Sequence, residues 1–181
     1  MVKDWPKLSS QPLGDYRVFR LRQDRRRSPR TGRDHTFYVL ESNDWINVIP
    51  ITPAGQVVLI RQFRHGIEQV TLEIPGGMVD NGETDPAGAA ARELREETGY
   101  AAESLIPIGV VTPNPAILNN HCHTYLAHNA RQVSKPHFDG SEDIALELVD
   151  LAQIPHLIRS GGISHGLVIA AFDHYDQYRR R

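Results

Sequence analysis

One stretch of the chain, residues 77–100, constrains the fold most strongly, because a glycine-rich turn leads directly into a segment with helix signals at both ends. Asp85 is suited to cap a helix N-terminus, and Pro86 suits the first helical position, where its missing N–H costs nothing. Gly99 can end the helix by adopting the left-handed conformation. The pattern therefore predicts a helix over residues 86–98.

The predicted helix carries Glu93, Glu96 and Glu97 close together. With about 100° of rotation per residue, Glu93 and Glu97 project side by side, and Glu96 lies further round within reach of the same ion. Like charges four residues apart repel by roughly a few tenths of a kcal/mol, a cost that a cation would remove. Carboxylate oxygens favour Mg²⁺, with Mn²⁺ as a substitute. On its own, however, a glutamate-rich helix is usually a solvated face.

The glutamates are part of a longer motif that includes the residues around them. The full set consists of Gly77, Glu83, Arg92, Glu93, Leu94, Glu96, Glu97, Gly99 and Tyr100. This set resembles the signature of the Nudix hydrolases, Gly-x5-Glu-x7-Arg-Glu-U-x-Glu-Glu-x-Gly-U, in which U is apolar or aromatic. The one departure is that residues 84–91 separate Glu83 from Arg92, which is one residue more than the family pattern has. The helical glutamates keep their mutual register, because the extra residue lies upstream of them.

The resemblance implies a set of catalytic residues and metal ligands. Arg92 matches the residue that orients the carboxylates in the family instead of binding metal, a role that fixes ligand geometry. A further carboxylate is often recruited as general base, and Glu142, in an acidic loop before a strand, is one candidate, with Glu96 as the alternative. In ADP-ribose-type members the carbonyl of the residue before the signature glycine is also a ligand. The residues carried over as metal ligands are Gly76, Glu93, Glu96 and Glu97.

Two further segments resemble the branch of this family that hydrolyses ADP-ribose and related nucleotide sugars. Residues 61–64 and 72–77 are similar to its Arg-Gln-Tyr-Arg and Glu-Leu-Pro-Ala-Gly patterns. A guanidinium group can hold two phosphate oxygens in a fixed fork, so Arg61 and Arg64 are candidates for substrate contact, with surface salt bridges as the alternative. Their odd spacing places them on opposite faces of a regular strand. Glu73 is a candidate for substrate binding, or for pairing with a neighbouring arginine.

The order of apolar runs predicts strands before and after one central helix, with further helices at the end of the chain. This order predicts an α/β fold with a mixed sheet between helices. The Nudix fold is such an α/β/α sandwich, and the resemblance covers roughly residues 45–172. We expect a Nudix domain at residues 45–181 and a small antiparallel strand segment at residues 1–44. In the ADP-ribose branch such a segment packs across a partner subunit, which implies a homodimer. The predicted strands are 16–21, 35–41, 45–51, 56–63, 70–75, 105–111, 121–128 and 144–149, and the predicted helices are 86–98, 151–159 and 165–179.

Charge and composition exclude several classes of protein. The formal net charge of −2 argues against a dedicated nucleic-acid binder, and the single cysteine, Cys122, excludes an internal disulfide. No apolar run approaches the roughly 20 residues needed to span a bilayer, and the first residues lack the apolar stretch of a signal peptide. We therefore expect a cytoplasmic protein with no membrane partner. The basic run at residues 25–33 is expected to be an exposed, mobile loop, with phosphate steering or a subunit contact as alternatives.

The function implied by the resemblance is Mg²⁺-dependent hydrolysis of a nucleoside diphosphate sugar, with ADP-ribose favoured, to a nucleoside monophosphate and a sugar phosphate. Bound cations would neutralise the phosphate oxygens and lower the pKa of water. One alternative is a hydrolase of RNA caps or dinucleotides, which would bind less tightly as salt increases. Another is a catalytically silent nucleotide-sensing module on the same scaffold.

Overall fold

The computed structural model describes residues 1–80, 82–138, 140 and 143–181. Within these ranges the regular elements are, in chain order, β1 (Lys7–Asp15), β2 (Arg20–Arg27), β3 (Asp34–Glu41), β4 (Trp45–Ile51), β5 (Gln56–Arg64), β6 (Gln69–Glu73), β7 (Gly76–Met78), α1 (Pro86–Thr98), β8 (Tyr100–Ala101), β9 (Ile106–Val111), β10 (Cys122–His128), β11 (Arg131–Gln132), β12 (Ile144–Asp150), α2 (Ile154–Arg159) and α3 (Gly166–Arg179). None of the helices in these ranges is both long and apolar enough to cross a membrane.

Residues 44–111 and 122–181 form one compact unit around a mixed sheet. Five strands lie in the order β12-β5-β4-β10-β9, while β6 pairs with β5 and β7 pairs with β4. Strand β10 runs parallel to β4, and the neighbouring pairs β10–β9 and β12–β5 are antiparallel. The pairing of β7 with β4 places the glycine turn beside the centre of this sheet.

The central strand β4 is buried on both of its faces, because apolar residues occupy almost every position along it. Ile46 and Val48 belong to a buried cluster that also contains Leu94 of α1. Ile49 belongs to a second cluster, which contains Phe172 of α3. Alternate side chains of a strand point to opposite faces of its sheet. Helices therefore cover both faces, as predicted for an α/β/α sandwich.

Residues 1–43 and 112–121 form a second compact unit. Strands β1, β2 and β3 make an antiparallel sheet in that order, and a parallel bridge joins Leu40 to Leu118. Asp24 on β2 is fully buried, where it accepts hydrogen bonds from Ser10 at 2.7 Å and Arg22 at 3.1 Å and pairs with Arg26 at 3.2 Å. Burial alone would raise the pKa of Asp24, but these partners outweigh it and lower that pKa below its ordinary value.

The structure corrects two expectations for this N-terminal region and adds one strand. Residues 25–27, predicted to begin a mobile loop, are the end of strand β2, because Arg25 and Arg27 pair with Asp34 across the sheet at 2.9 and 2.7 Å. Residues 16–19 form a turn instead of starting a strand, with the N–H of Tyr16 donating to the carbonyl of Phe19. Strand β1 was not predicted, because its residues are polar and mostly exposed.

Candidate active site

The helix that carries the glutamates has the predicted bounds, and its ends are formed by the predicted residues. The side chain of Asp85 accepts a hydrogen bond from the N–H of Ala87 at 3.0 Å, and Pro86 occupies the first turn. Gly99 has a φ of 73°, and its N–H donates to the carbonyl of Arg95. A side chain at Gly99 would also lie 2.2 Å from the carbonyl oxygen of Ser134. Helix α1 is therefore fixed at both ends by local sequence signals.

The glycine turn brings the backbone against two of these glutamates. The N–H of Gly76 donates to Oε2 of Glu97 at 2.9 Å, and Glu97 is a buried carboxylate. A Cβ on Gly77 would lie 2.4 Å from the carboxylate carbon of Glu93. A Cβ on Gly76 would lie 2.5 Å from the carbonyl oxygen of Ile46. Gly76 is required because the backbone carbonyl of Ile46 cannot give way, whereas a side chain at residue 77 would displace the carboxylate of Glu93.

Arg92 is the centre of an ion-pair network next to the turn. Its guanidinium donates to Glu93 at 2.9 Å and to Glu96 at 3.2 Å, and it also reaches Glu83 at 3.4 Å. Partial burial lowers the pKa of Arg92, but the carboxylates of Glu93, Glu83 and Glu96 outweigh that effect and raise it above its ordinary value. Glu83 reaches this network even though one extra residue separates it from Arg92.

The donor chemistry here fits a hard cation. Glu97 and Glu93 supply carboxylates against the backbone of Gly76 and Gly77, and hard cations prefer carboxylate and carbonyl oxygens. In the described ranges no three acidic, histidine or cysteine side chains are arranged to hold a metal ion. Arg92 instead neutralises Glu93 and Glu96. A cation in this place would compete with Arg92 for both carboxylates.

A second group of charged residues lines a cleft beside this region. Nε of Arg64 donates to Oε1 of Glu73 at 2.8 Å, and its terminal nitrogen donates to Oε2 at 2.6 Å, so the pair is bidentate. Thr71 also donates to Glu73 at 2.6 Å, and Nδ1 of His165 lies 2.8 Å from Oε2. The cleft has a volume of about 650 Å³, and these four residues all line it. The negative charge of Glu97 also raises the pKa of Arg64, so Arg64 lies within electrostatic reach of this one carboxylate of helix α1.

The partners of Glu73 determine its ionisation. Burial alone would raise the pKa of Glu73, since only 2% of its side chain is exposed. The hydrogen bonds from Arg64, His165 and Thr71 outweigh burial and hold the pKa well below its ordinary value of 4.5. The hydrogen bond to Glu73 is also the main cause that raises the pKa of Arg64. Both groups are therefore charged at neutral pH.

This ion pair predicts a specific loss of stability in acid. Because the pKa of Glu73 is lower in the folded protein than in the unfolded chain, the pair stabilises the fold above pH 4.5. That contribution is lost as the pH falls below this value. In Arg64→Met the pKa of Glu73 rises towards its ordinary value, so the free energy of unfolding decreases by about 2 kcal/mol at pH 7, a value discounted for the exposure of Arg64. The decline of the free energy of unfolding between about pH 5 and 3 also becomes shallower in this variant. Urea unfolding across this pH range measures both effects.

Arg61→Met is the matched control for that measurement. Arg61 lies on the same strand and pairs with Glu147 at 2.6 Å, but 47% of its side chain and 37% of that of Glu147 are exposed. Removing an exposed pair is expected to change the free energy of unfolding by less than about 1 kcal/mol. Equal acid profiles for Arg64→Met and the unmodified protein would contradict the assigned coupling between Arg64 and Glu73.

The predicted site residues fall into separate groups. Gly76, Glu93, Glu96, Glu97 and Arg92 lie together around the glycine turn. Arg64 and Glu73 line the cleft, whereas Arg61 is held in its exposed pair with Glu147 and does not line the cleft. Glu142 lies outside the described residues, so its role as general base stays a prediction.

Sequence reasoning missed Thr71 and His165. Thr71 precedes Glu73 by two positions on strand β6, so the strand period alone places both side chains on one face. His165 is far away in the sequence and immediately precedes helix α3. No local pattern connects it with Glu73.

Fold and site together define a class of protein. A mixed sheet lies between helices, a carboxylate-bearing helix packs against a glycine turn, and a cleft with an ordered guanidinium lies beside them. This arrangement suits an α/β protein that binds a cation and an anionic substrate together.

Comparison with known proteins identifies the family. The NUDIX domain model matches residues 41–172. An ADP-ribose pyrophosphatase of Bacillus subtilis (strain 168) is 32% identical over 116 residues, which cover 64% of this chain and 62% of that protein. An ADP-ribose pyrophosphatase of Mycobacterium tuberculosis (strain ATCC 25618 / H37Rv) is 28% identical over 168 residues, which cover 92% of this chain and 81% of that protein. A crystal structure of an ADP compounds hydrolase matches with a TM-score of 0.87 and 19% identity, covering 99% of this chain and 96% of that one.

The chain belongs to the Nudix family. The predicted affiliation with the Nudix hydrolases, and within them with the ADP-ribose pyrophosphatase branch, is confirmed by the relatives. The predicted α/β/α sandwich with a mixed sheet is confirmed by the similarity to the solved structure, which at this identity concerns the fold.

Proposed function

We propose that the protein is a Mg²⁺-dependent pyrophosphohydrolase that cleaves a nucleoside diphosphate sugar, with ADP-ribose favoured, to a nucleoside monophosphate and a sugar phosphate. The observation that carries this proposal is the contact between the buried carboxylate of Glu97 and the N–H of Gly76, which joins the glutamate helix to the glycine turn. The names of the relatives from Bacillus subtilis and Mycobacterium tuberculosis support the substrate class.

Each residue has a definite task in this proposal. Glu93 and Glu97, with Glu96 and the carbonyl of Gly76, hold Mg²⁺, or Mn²⁺ as a substitute. When bound, the cation supplies charge neutralisation at the diphosphate and lowers the pKa of water. Arg92 keeps Glu93 and Glu96 oriented through its hydrogen bonds.

Substrate binding and proton transfer fall to other residues of the same unit. Arg64 binds phosphate oxygens with the part of its guanidinium that Glu73 leaves accessible, since 44% of the side chain is exposed. Arg61 contributes a second guanidinium if substrate displaces its pairing with Glu147. Glu142 accepts a proton from the attacking water, with Glu96 as the alternative base.

Part of the charge of the basic N-terminal strand is engaged within the protein. Arg25 and Arg27 share Asp34, and Arg26 shares Asp24 with Arg22, so these arginines are less available to the phosphates of RNA. Binding that depends on phosphate charge needs unpaired lysine or arginine. The homodimer formed through residues 1–44 and the cytoplasmic location stay predictions from the sequence.

Product analysis tests the proposal. The purified protein is incubated with Mg²⁺ and with ADP-ribose, ADP-glucose, GDP-mannose, UDP-glucose, NADH, a dinucleoside polyphosphate or capped RNA, and the products are separated by chromatography. A monophosphate and a sugar phosphate from a nucleotide sugar are the expected result. Preferred cleavage of capped RNA, with a rate that falls steeply as salt increases, would support the first alternative. Binding of a nucleotide without turnover of any compound would support the sensing module.

A further inference from the structure

Four hydrogen bonds converge on the carboxylate of Glu73. Two donors come from Arg64, one from Thr71 and one from His165, all between 2.6 and 2.8 Å. Its side chain is 2% exposed, so hydrogen bonds from water cannot readily replace a lost donor. Each donor therefore helps to decide where the carboxylate lies.

The ionisation of Glu73 also decides which group is the donor in its contact with the histidine. An ionised carboxylate has only acceptor sites, and the pKa of Glu73 is held well below its ordinary value despite burial. Nδ1 of His165 must therefore carry the hydrogen and donate it to Oε2 of Glu73. The donor in this contact is therefore Nδ1, the ring nitrogen nearer to Cβ.

The backbone of His165 is also held by hydrogen bonds. Its carbonyl accepts the N–H groups of Val168 and Ile169 at the start of helix α3, both at 3.1 Å. The next residue but one, Leu167, accepts a hydrogen bond from the side chain of Asn47 on β4 at 3.3 Å. The ring thus extends from a helix start that is anchored to the central sheet, which makes it a fixed support for Glu73.

We propose that His165 is a positioning residue for diphosphate hydrolysis. Its Nδ1–H fixes one oxygen of Glu73. The carboxylate then holds Nε and one terminal nitrogen of Arg64. This orients the guanidinium towards a phosphate group of the substrate in the cleft. His165 does not need to touch the reacting atoms, because it acts through Glu73. The inference rests on the proposed function for the identity of the anion that Arg64 binds.

Three substitutions separate the contact itself from the mere presence of a polar side chain. The amide nitrogen of asparagine lies where Nδ1 lies in histidine, so His165→Asn keeps the donor, whereas His165→Gln places its amide near the position of Nε2. His165→Ala removes the donor altogether. His156→Ala, at an exposed histidine of α2, is the control.

Steady-state kinetics with ADP-ribose and saturating Mg²⁺ give the first readout. His165→Ala and His165→Gln are expected to raise KM about tenfold, with kcat changed less than about threefold, because the affected interaction is with bound substrate. His165→Asn and His156→Ala are expected to stay within about threefold of the unmodified protein. Equal KM values for the alanine, glutamine and asparagine variants would overturn the inference.

The second readout needs no substrate and separates this inference from the proposed function. Solvent exchange of the Arg64 Nε–H, which donates to Glu73, is measured by ¹⁵N NMR in all four variants. Faster exchange by about tenfold in the alanine and glutamine variants, but not in the asparagine variant, is expected. Unchanged exchange in all variants would overturn the positioning role. If the unmodified protein cleaved none of the nucleotides, the proposed function would fail, and the Arg64 signal would still decide whether His165 positions this guanidinium.

Discussion

Glu97→Gln is expected to lower kcat/KM for ADP-ribose by about 10³-fold at saturating Mg²⁺, which corresponds to about 4 kcal/mol of transition-state stabilisation. Glutamine has nearly the same shape as glutamate and keeps an oxygen that can accept from the N–H of Gly76. The substitution therefore removes the negative charge and leaves the contact with the glycine turn. Kinetic assays at several Mg²⁺ concentrations measure the loss.

The control for this substitution is Glu103→Gln, which makes the same chemical change at an exposed position outside the helix. It is expected to leave kcat/KM and the thermal midpoint unchanged. Thermal unfolding of both variants checks that the fold persists. Nearly full activity of Glu97→Gln at saturating Mg²⁺ would refute the assignment of Glu97 as a cation ligand.

Gly77→Ala is expected to raise the Mg²⁺ concentration for half-maximal activity by about 10- to 100-fold, the range typical of disturbing the surroundings of a metal ligand. The new methyl group would lie 2.4 Å from both the carboxylate carbon and Oε1 of Glu93. Since these atoms are the end of a flexible side chain, Glu93 moves and the backbone stays, so the thermal midpoint changes little. Activity measured over a range of Mg²⁺ concentrations tests the shift.

Gly166→Ala provides the matched control, because a methyl group there meets no other atom within 4 Å. It adds the same group at the first position of α3 without displacing a carboxylate. An unchanged Mg²⁺ dependence in Gly77→Ala would show that the placement of Glu93 beside the turn does not matter for cation binding.

The structural predictions that were confirmed rest on local sequence patterns. Asp85, Pro86 and Gly99 predict the ends of helix α1 because capping depends on residues within one turn of the helix. The glutamates of that helix keep their spacing in any fold, since the helical period alone determines it. The apolar run at residues 45–51 likewise predicts a strand, which the structure has as β4.

The predicted secondary structure was wrong where contacts between distant segments override the local conformational preference of the residues. The arginines at residues 25–27 look like a solvated loop, but this stretch pairs with β3, where Asp34 binds Arg25 and Arg27. Strand β1 has no apolar alternation to reveal it, because backbone pairing with β2 holds it in the sheet. In both cases the partner lies on another strand, which local pattern reading does not consider.

The sequence by itself determined the family, the glutamate helix and its ends, because each depends on residue types at short fixed spacings. Only the tertiary structure decided that Glu97 meets the N–H of Gly76, that Arg64 rather than Arg61 faces the cleft, and that His165 supports Glu73. Glu73 and His165 are 92 positions apart. Their contact exists because the sheet and the start of helix α3 are packed together, and no spacing within either segment encodes it.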